Sequence, residues 1–299
     1  MKRRTGRLLL TLLACIAGNE LSFARDSLNV HGFLPAEARF RLVNDYLMVA
    51  PVMVNGYGPY DMVIDTGSSL SFIDAQVASE IGLKEIDTVD VYALFGVDHL
   101  KSSVANFEFA GKQFEETGVA IQNLAMLKQM DSKIRGILGW NVLWKFNFLI
   151  DYSRHRLEIH ETSEATEVSG KRVPYVRRAG LALVPAVIRN LSNRELQLIL
   201  DSGARSVVLY AKHLPLAVAL GEQELRHSTI ATAKVHVVHV PNMTVGAHPV
   251  SEVAVELLVG TEDRQFHLED GVLPIRLFSS VYFDNSENCV VLNPHIRKK

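Results

Sequence analysis

The sequence predicts an all-β protein of two lobes produced by internal duplication, and three observations carry that prediction. A motif recurs: Met62-Val63-Ile64-Asp65-Thr66-Gly67-Ser68 returns 136 residues later as Leu198-Ile199-Leu200-Asp201-Ser202-Gly203-Ala204. Further landmarks follow in the same order at nearly the same offset. Ala75 and Ala211 keep the 136-residue spacing, Gly136-Ile137-Leu138 returns as Gly271-Val272-Leu273 at 135, and Asp151-Tyr152-Ser153 returns as Asp284-Asn285-Ser286 at 133. Apolar residues also alternate in short runs punctuated by Gly, Asn and Asp, which is the period of strands.

Bulk properties agree. A length of 299 residues gives room for two domains, and 48% hydrophobic with 21% charged residues describes a chain that buries real cores. A net charge of −2 and a pI near 6.6 exclude the basic footprint that nucleic acid requires.

The first residues read as a secretory leader. Lys2, Arg3, Arg4 and Arg7 precede an apolar stretch over 8–18, and Ser22-Phe23-Ala24 offers small residues for cleavage after Ala24. The apolar run is too short to span a bilayer, and no later segment is a membrane span. An exported protein, periplasmic or secreted, is expected. Leu12-Leu13-Ala14-Cys15 is the competing reading, in which Cys15 carries a lipid anchor. Removing four basic residues and Glu20 takes the net charge from −2 to −5. Cys289 is then the last cysteine, so no intrachain disulfide can form, and its place in Cys-Val-Val-Leu reads as a packed thiol.

Taken in order, residues 47–54 read as a strand, Asn55-Gly56 as a tight turn and residues 60–64 as the returning strand. Residues 181–188 and 195–200 repeat that hairpin around a loop at 190–193. Residues 75–81 read as a short helix closed by Gly82. Residues 104–109 and 114–121 form a hairpin through Gly111, and 233–240 with 250–259 do the same in the second half. A linker is expected at 161–170, where Glu, Thr and Ser dominate. The halves would then be residues 25–165 and 166–299, behind the leader at 1–24.

Each half delivers an Asp to the end of an apolar strand, where a hydroxyl residue and Gly follow. A buried carboxyl is costly alone. Two related by a duplication can meet across a pseudo-twofold axis and share one proton, because like charges that close cannot both ionise. The ionised member takes a proton from water while the neutral member donates to a carbonyl oxygen, which is general acid–base hydrolysis. Asp65 and Asp201 are the candidate pair. Gly67 and Gly203 let the loops approach, and the Thr66 and Ser202 hydroxyls are placed to brace one loop against the other.

These motifs resemble the retropepsin-like/pepsin-like aspartic proteases, with both catalytic loops on one chain. Asp65-Thr66-Gly67-Ser68-Ser69 and Asp201-Ser202-Gly203-Ala204 match the two loops, and Ile137-Leu138-Gly139 matches the apolar-apolar-Gly element beneath the first. The run from Gly136 through Asn147-Phe148-Leu149-Ile150-Asp151-Tyr152 is similar to the bacterial retropepsin-like branch. The resemblance implies a bilobal aspartic-protease fold of two retropepsin-like β-barrel lobes. It implies an endopeptidase with no cofactor and no metal, working as a monomer on a peptide or protein. A non-cleaving peptide- or protein-binding module is the rival. Its support is Val272-Leu273-Pro274, where Pro274 stands in place of Gly, together with a flap for which Tyr92 is the candidate residue. The resemblance also makes Ser68 an extra donor to its carboxylate, so Asp65 is expected to be the ionised partner and Asp201 the proton carrier.

Other motifs read structurally. Asp151 and Asp284 fit turn-holding positions, and no nucleophile elbow surrounds Ser202. His236 and His239 fall on opposite faces of a strand, so they do not chelate one ion. Gly56-Tyr57-Gly58 lacks a third Gly and a following helix. Asn190 and Asn242 head glycosylation sequons by pattern alone. Trp140, Trp144, Phe146 and Phe148 are expected in the core.

Overall fold

The structure, a computed structural model, describes residues 16–17, 36–93, 96–160, 167–189, 191–192, 194–211, 214, 222–227, 232–258 and 269–297. The leader and Cys15 lie outside them, apart from Ile16–Ala17, a short strand against Val91 and Tyr92. Asn190 also lies outside.

Strands dominate, and they form two lobes with one connectivity. In the first, Leu47–Val54 turns through Asn55 and Gly56, whose φ values of 49° and 78° are those of a type I′ hairpin, into Tyr57–Ile64. Tyr57–Ile64 pairs in parallel with Ile134–Leu138, which pairs antiparallel with Ser71–Asp74. Ser71–Asp74 in turn runs parallel to Lys112–Gln122. In the second lobe Leu181–Val187, Leu196–Asp201, Gly271–Pro274, Val207–Tyr210 and His248–Leu258 take the same places with the same senses. Each lobe closes on itself, through Val54 against Phe107 in the first and Ala186 against Val245 in the second.

A third sheet, of six strands, joins the lobes. Its centre is Asn147–Asp151 against Ser280–Asp284, the duplicated strand paired with its own copy. Phe148 and Phe283 are directly opposite, with rings stacked at 4.5 Å, and the Trp140 ring meets both edge-on. Trp140, Phe146 and Phe148 are buried as expected. Trp144 is not. It follows the short helix Trp140–Leu143 on the solvent side, 36% exposed, with the Arg177 guanidinium 4.4 Å over its ring.

The helix expected at 75–81 is Ala75–Glu80, capped by the Asp74 carboxylate and followed by Gly82 at φ 66°. The linker expected at 161–170 needs correction. Residues 161–166 lie outside the described set, but Glu167–Ser169 is a strand pairing with His295–Arg297. Backbone pairing there replaces the apolar pattern a strand usually shows. Asp151 and Asp284 hold turns: Asp151 accepts from Ser153 Oγ and Arg154 N, and Asp284 from Ser286 Oγ and Glu287 N. Cys289 is a buried free thiol 3.0 Å from an Arg172 guanidinium nitrogen.

Two hairpins escaped the sequence pattern. Asp87–Ala93 with Gly96–Phe109, and Glu222–His227 with Thr232–Val245, follow the Asp loops of their respective lobes. Their turns, 94–95 and 228–231, lie outside the described residues.

Candidate active site

Two parallel ladders deliver the acids. Asp65 follows Ile64, whose strand partner is Leu138, and its N–H is held by the Leu138 carbonyl at 3.0 Å. Asp201 ends its strand opposite Pro274. Both are fully buried. The two loops interpenetrate: a Cβ on Gly67 would overlap the Asp201 carboxyl, and one on Gly203 would lie 2.9 Å from Asp65 Oδ2. Only glycine tolerates that approach.

The hydroxyls tie the loops together reciprocally. Thr66 Oγ1 accepts from Ser202 N and donates to Leu200 O, both at 2.9 Å. Ser202 Oγ accepts from Thr66 N at 2.9 Å and donates to Ile64 O at 2.8 Å. All four bonds are buried and cross between lobes. Thr66→Val keeps the volume but strips two of these groups of their partner, so a loss of about 2–4 kcal/mol is expected in urea denaturation. A midpoint unchanged from the parent would show that the brace is not needed.

Backbone N–H groups serve one oxygen of each acid. Asp65 Oδ1 accepts from Gly67 N at 2.9 Å, and Asp201 Oδ1 from Gly203 N at 2.6 Å and Ala204 N at 3.0 Å. The Oδ2 atoms are buried and receive no hydrogen bond among the described residues. They are the two oxygens left for a shared proton and a ligand. Burial lifts the Asp65 carboxyl to about 6, against the lowering pull of Asp201 and the loop N–H groups. Asp201 is lifted well above the ordinary carboxylate range, by burial first and then by the charge of Asp65.

The cause expected for an asymmetry between the two acids is absent. The Ser68 hydroxyl donates to Leu70 O at 2.7 Å, so it is not aimed at Asp65. The loop turns its side chain back along the chain. Burial is the first cause of the upward shift of both carboxyls, and the repulsion between them belongs to the pair.

Pro274 also has a local explanation. In the first lobe Gly139 N donates to Ser71 Oγ at 3.0 Å, and a Cβ there would collide with the carbonyl of Leu70. The register places Pro274 where Gly139 stands and Val207 where Ser71 stands. Proline has no N–H to give and valine no hydroxyl to receive it, so the donor and acceptor disappear together. The substitution leaves no orphaned group at this contact.

Sequence reading missed the groups around the pair. Tyr46 is buried in the turn after Arg41–Val43, and its hydroxyl lies within electrostatic reach of Arg205, Asp201, Arg276 and Asp65. The Tyr152 hydroxyl is buried with no hydrogen-bond partner among the described residues and feels Arg276 and both acids. Neither tyrosine belongs to a motif, so only the fold could bring them here. Tyr92 is on the first-lobe hairpin, partly buried against the main core.

Residues 50–142 match a family model described as aspartyl protease. The matched span contains Asp65-Thr66-Gly67 and Ile137-Leu138-Gly139, and the second loop lies beyond it. Comparison with curated proteins gave no match.

Proposed function

From a chain whose residues 50–142 match the aspartyl protease model, we propose a single-chain aspartic endopeptidase in which Asp65 and Asp201 act as one dyad. The observation that carries this is the pair of buried Oδ2 atoms with no hydrogen-bond partner among the described residues, held on loops that brace each other through Thr66 and Ser202. A structural carboxyl would be hydrogen-bonded on both oxygens, as Asp270 is: Oδ1 accepts from Arg194, and Oδ2 from Arg194 and Gln197 N.

In this reading ionised Asp65 takes a proton from water as the water oxygen bonds to the scissile carbonyl carbon. Asp201 gives its proton to the carbonyl oxygen. The tetrahedral diol then collapses: the C–N bond breaks, the amine nitrogen leaves with a proton from Asp65, and Asp201 recovers its proton from the diol. The substrate lies extended in the cleft, bonded through its main chain. The lobes divide near residue 165, one copy of the chain supplies both acids, and a leader ending at Ala24 directs export.

The test is incubation of the protein, expressed from the full chain, with a diverse peptide library between pH 3 and 8. Internal cleavage is the expected result, read by mass spectrometry. Peptides bound but uncut at every pH would replace the protease with the binding module.

A further inference from the structure

The two lobes differ beside their Asp loops, and the difference opens a pocket on the second. In the first lobe the short helix Trp140–Leu143 plugs this place. Asn141 accepts from Ser71 Oγ at 2.8 Å and donates to Gly118 O at 2.8 Å. Strand register carries Ser71 to Val207 and Gly118 to Ala254, and the 135-residue offset carries Asn141 to Arg276. Valine offers no hydroxyl, so the bridge cannot be rebuilt, and Arg276 is exposed instead. What remains is a cavity of about 340 Å³, lined among others by Arg205, Val237, Val253, Glu256, Pro274 and Leu277.

The lining of this cavity includes two neighbours of the second acid. Arg205 is the residue after the loop Asp201–Ala204, and Pro274 is the strand partner of Asp201. Its walls mix apolar side chains with Ser206, Ser251 and three charged residues. Glu256 is 3% exposed and accepts from Ser206 Oγ at 2.7 Å, so its carboxylate is already engaged below the surface. Glu252 lies on the exposed rim. Arg205 is half-buried, and neither it nor Arg276 makes an ion pair or hydrogen bond among the described residues. Both guanidiniums are also within electrostatic reach of the Tyr46 hydroxyl, as are both acids. A half-buried guanidinium without a carboxylate is a fork waiting for one.

Resting on the endopeptidase reading, we propose that this pocket is a specificity subsite that takes an acidic side chain of the bound peptide, with Arg205 as its recognition residue. The aliphatic part of the side chain lies against Val253, Pro274 and Leu277, and its carboxylate reaches Arg205, with Arg276 adding to the field. The enzyme then selects peptides bearing Glu or Asp near the cut bond.

The experiment uses one cleaved library peptide, resynthesised with Glu, Gln or Lys at each of three positions on either side of the cut. At one position Glu is expected to exceed Gln in kcat/KM by about tenfold or more, as a partly desolvated charge pair allows. Arg205→Gln should bring that ratio close to one, and Arg205→Glu should turn the preference to Lys, a gain that misfolding cannot mimic. The same peptides are titrated by fluorescence anisotropy onto Asp201→Asn, which reads recognition without cleavage. Equal handling of Glu and Gln at all positions overturns the subsite and leaves the protease standing. A Lys preference in the parent also overturns it, because Glu252 and Glu256 would then dominate. Glu-selective binding without cleavage by the parent would keep the pocket and remove the protease.

Discussion

Asp65→Asn and Asp201→Asn are each expected to abolish peptide hydrolysis, by at least about 10³-fold in kcat, while leaving the fold intact. The magnitude follows from the division of labour. One acid must be ionised to activate water and the other protonated to polarise the carbonyl, so neither can cover for the other. Asparagine keeps the volume and can still accept from Gly67 N or Gly203 N in the place of Oδ1. It supplies neither the base nor the acid. Effects of groups that act as a unit are not additive, so the double variant should be no worse than either single one. Kinetics on one library peptide measure all three. Activity surviving either substitution would mean that the acids do not form one dyad.

What the sequence made legible was the repeated part. Asp65 and Asp201 stand in motifs whose apolar approach, hydroxyl and glycine all recur, and each of these residue types has a physical duty at the contact between loops. Asp151 and Asp284 were readable for the same reason. The hairpin Asp87–Ala93 with Gly96–Phe109 was not: its apolar face rests on the short alternation Val89, Val91, behind an exposed entry at 85–88, and the ladder extends beyond it. Helices Ala125–Met130 and Trp140–Leu143 are too short to show a helical period, and neither has a side-chain cap to announce it. Trp144 was misplaced by the general rule that tryptophans are buried, which a neighbouring arginine can overturn at the surface. Arg205 and Arg276 became visible only by comparing the lobes strand by strand. Their meaning lies in what the other lobe has at the same place, not in any local pattern.

Activity and stability should run in opposite directions across the acid range, and the buried pair is the reason. The productive dyad holds one proton. With Asp65 at about 6 and Asp201 well above the ordinary range, kcat/KM is expected to rise with pH through about 6 and to fall only when the second proton leaves. The two steps belong to the pair rather than to either residue. Stability behaves otherwise. Both carboxyls are raised in the folded state, so the folded protein binds protons that the unfolded chain has already released. Their contribution is therefore complete below about pH 4, the unfolded value, and is lost as pH climbs through about 6. For Asp65 the loss by neutral pH is on the order of 3 kcal/mol. Asp131 and Asp151 are lowered by their hydrogen bonds and arginine partners, which outweigh the opposing effect of burial, and they pull the other way: their contribution is fully present above about pH 4 and is lost as pH falls below it. The raw pH dependence therefore mixes two signs, and the difference between parent and Asp201→Asn isolates the dyad. That variant is expected to match the parent in urea at pH 4 and to exceed it at pH 7. Equal stability of the two proteins at both pH values would mean that the acids are not held together in a dry site, and the near-neutral activity profile would lose its basis with it.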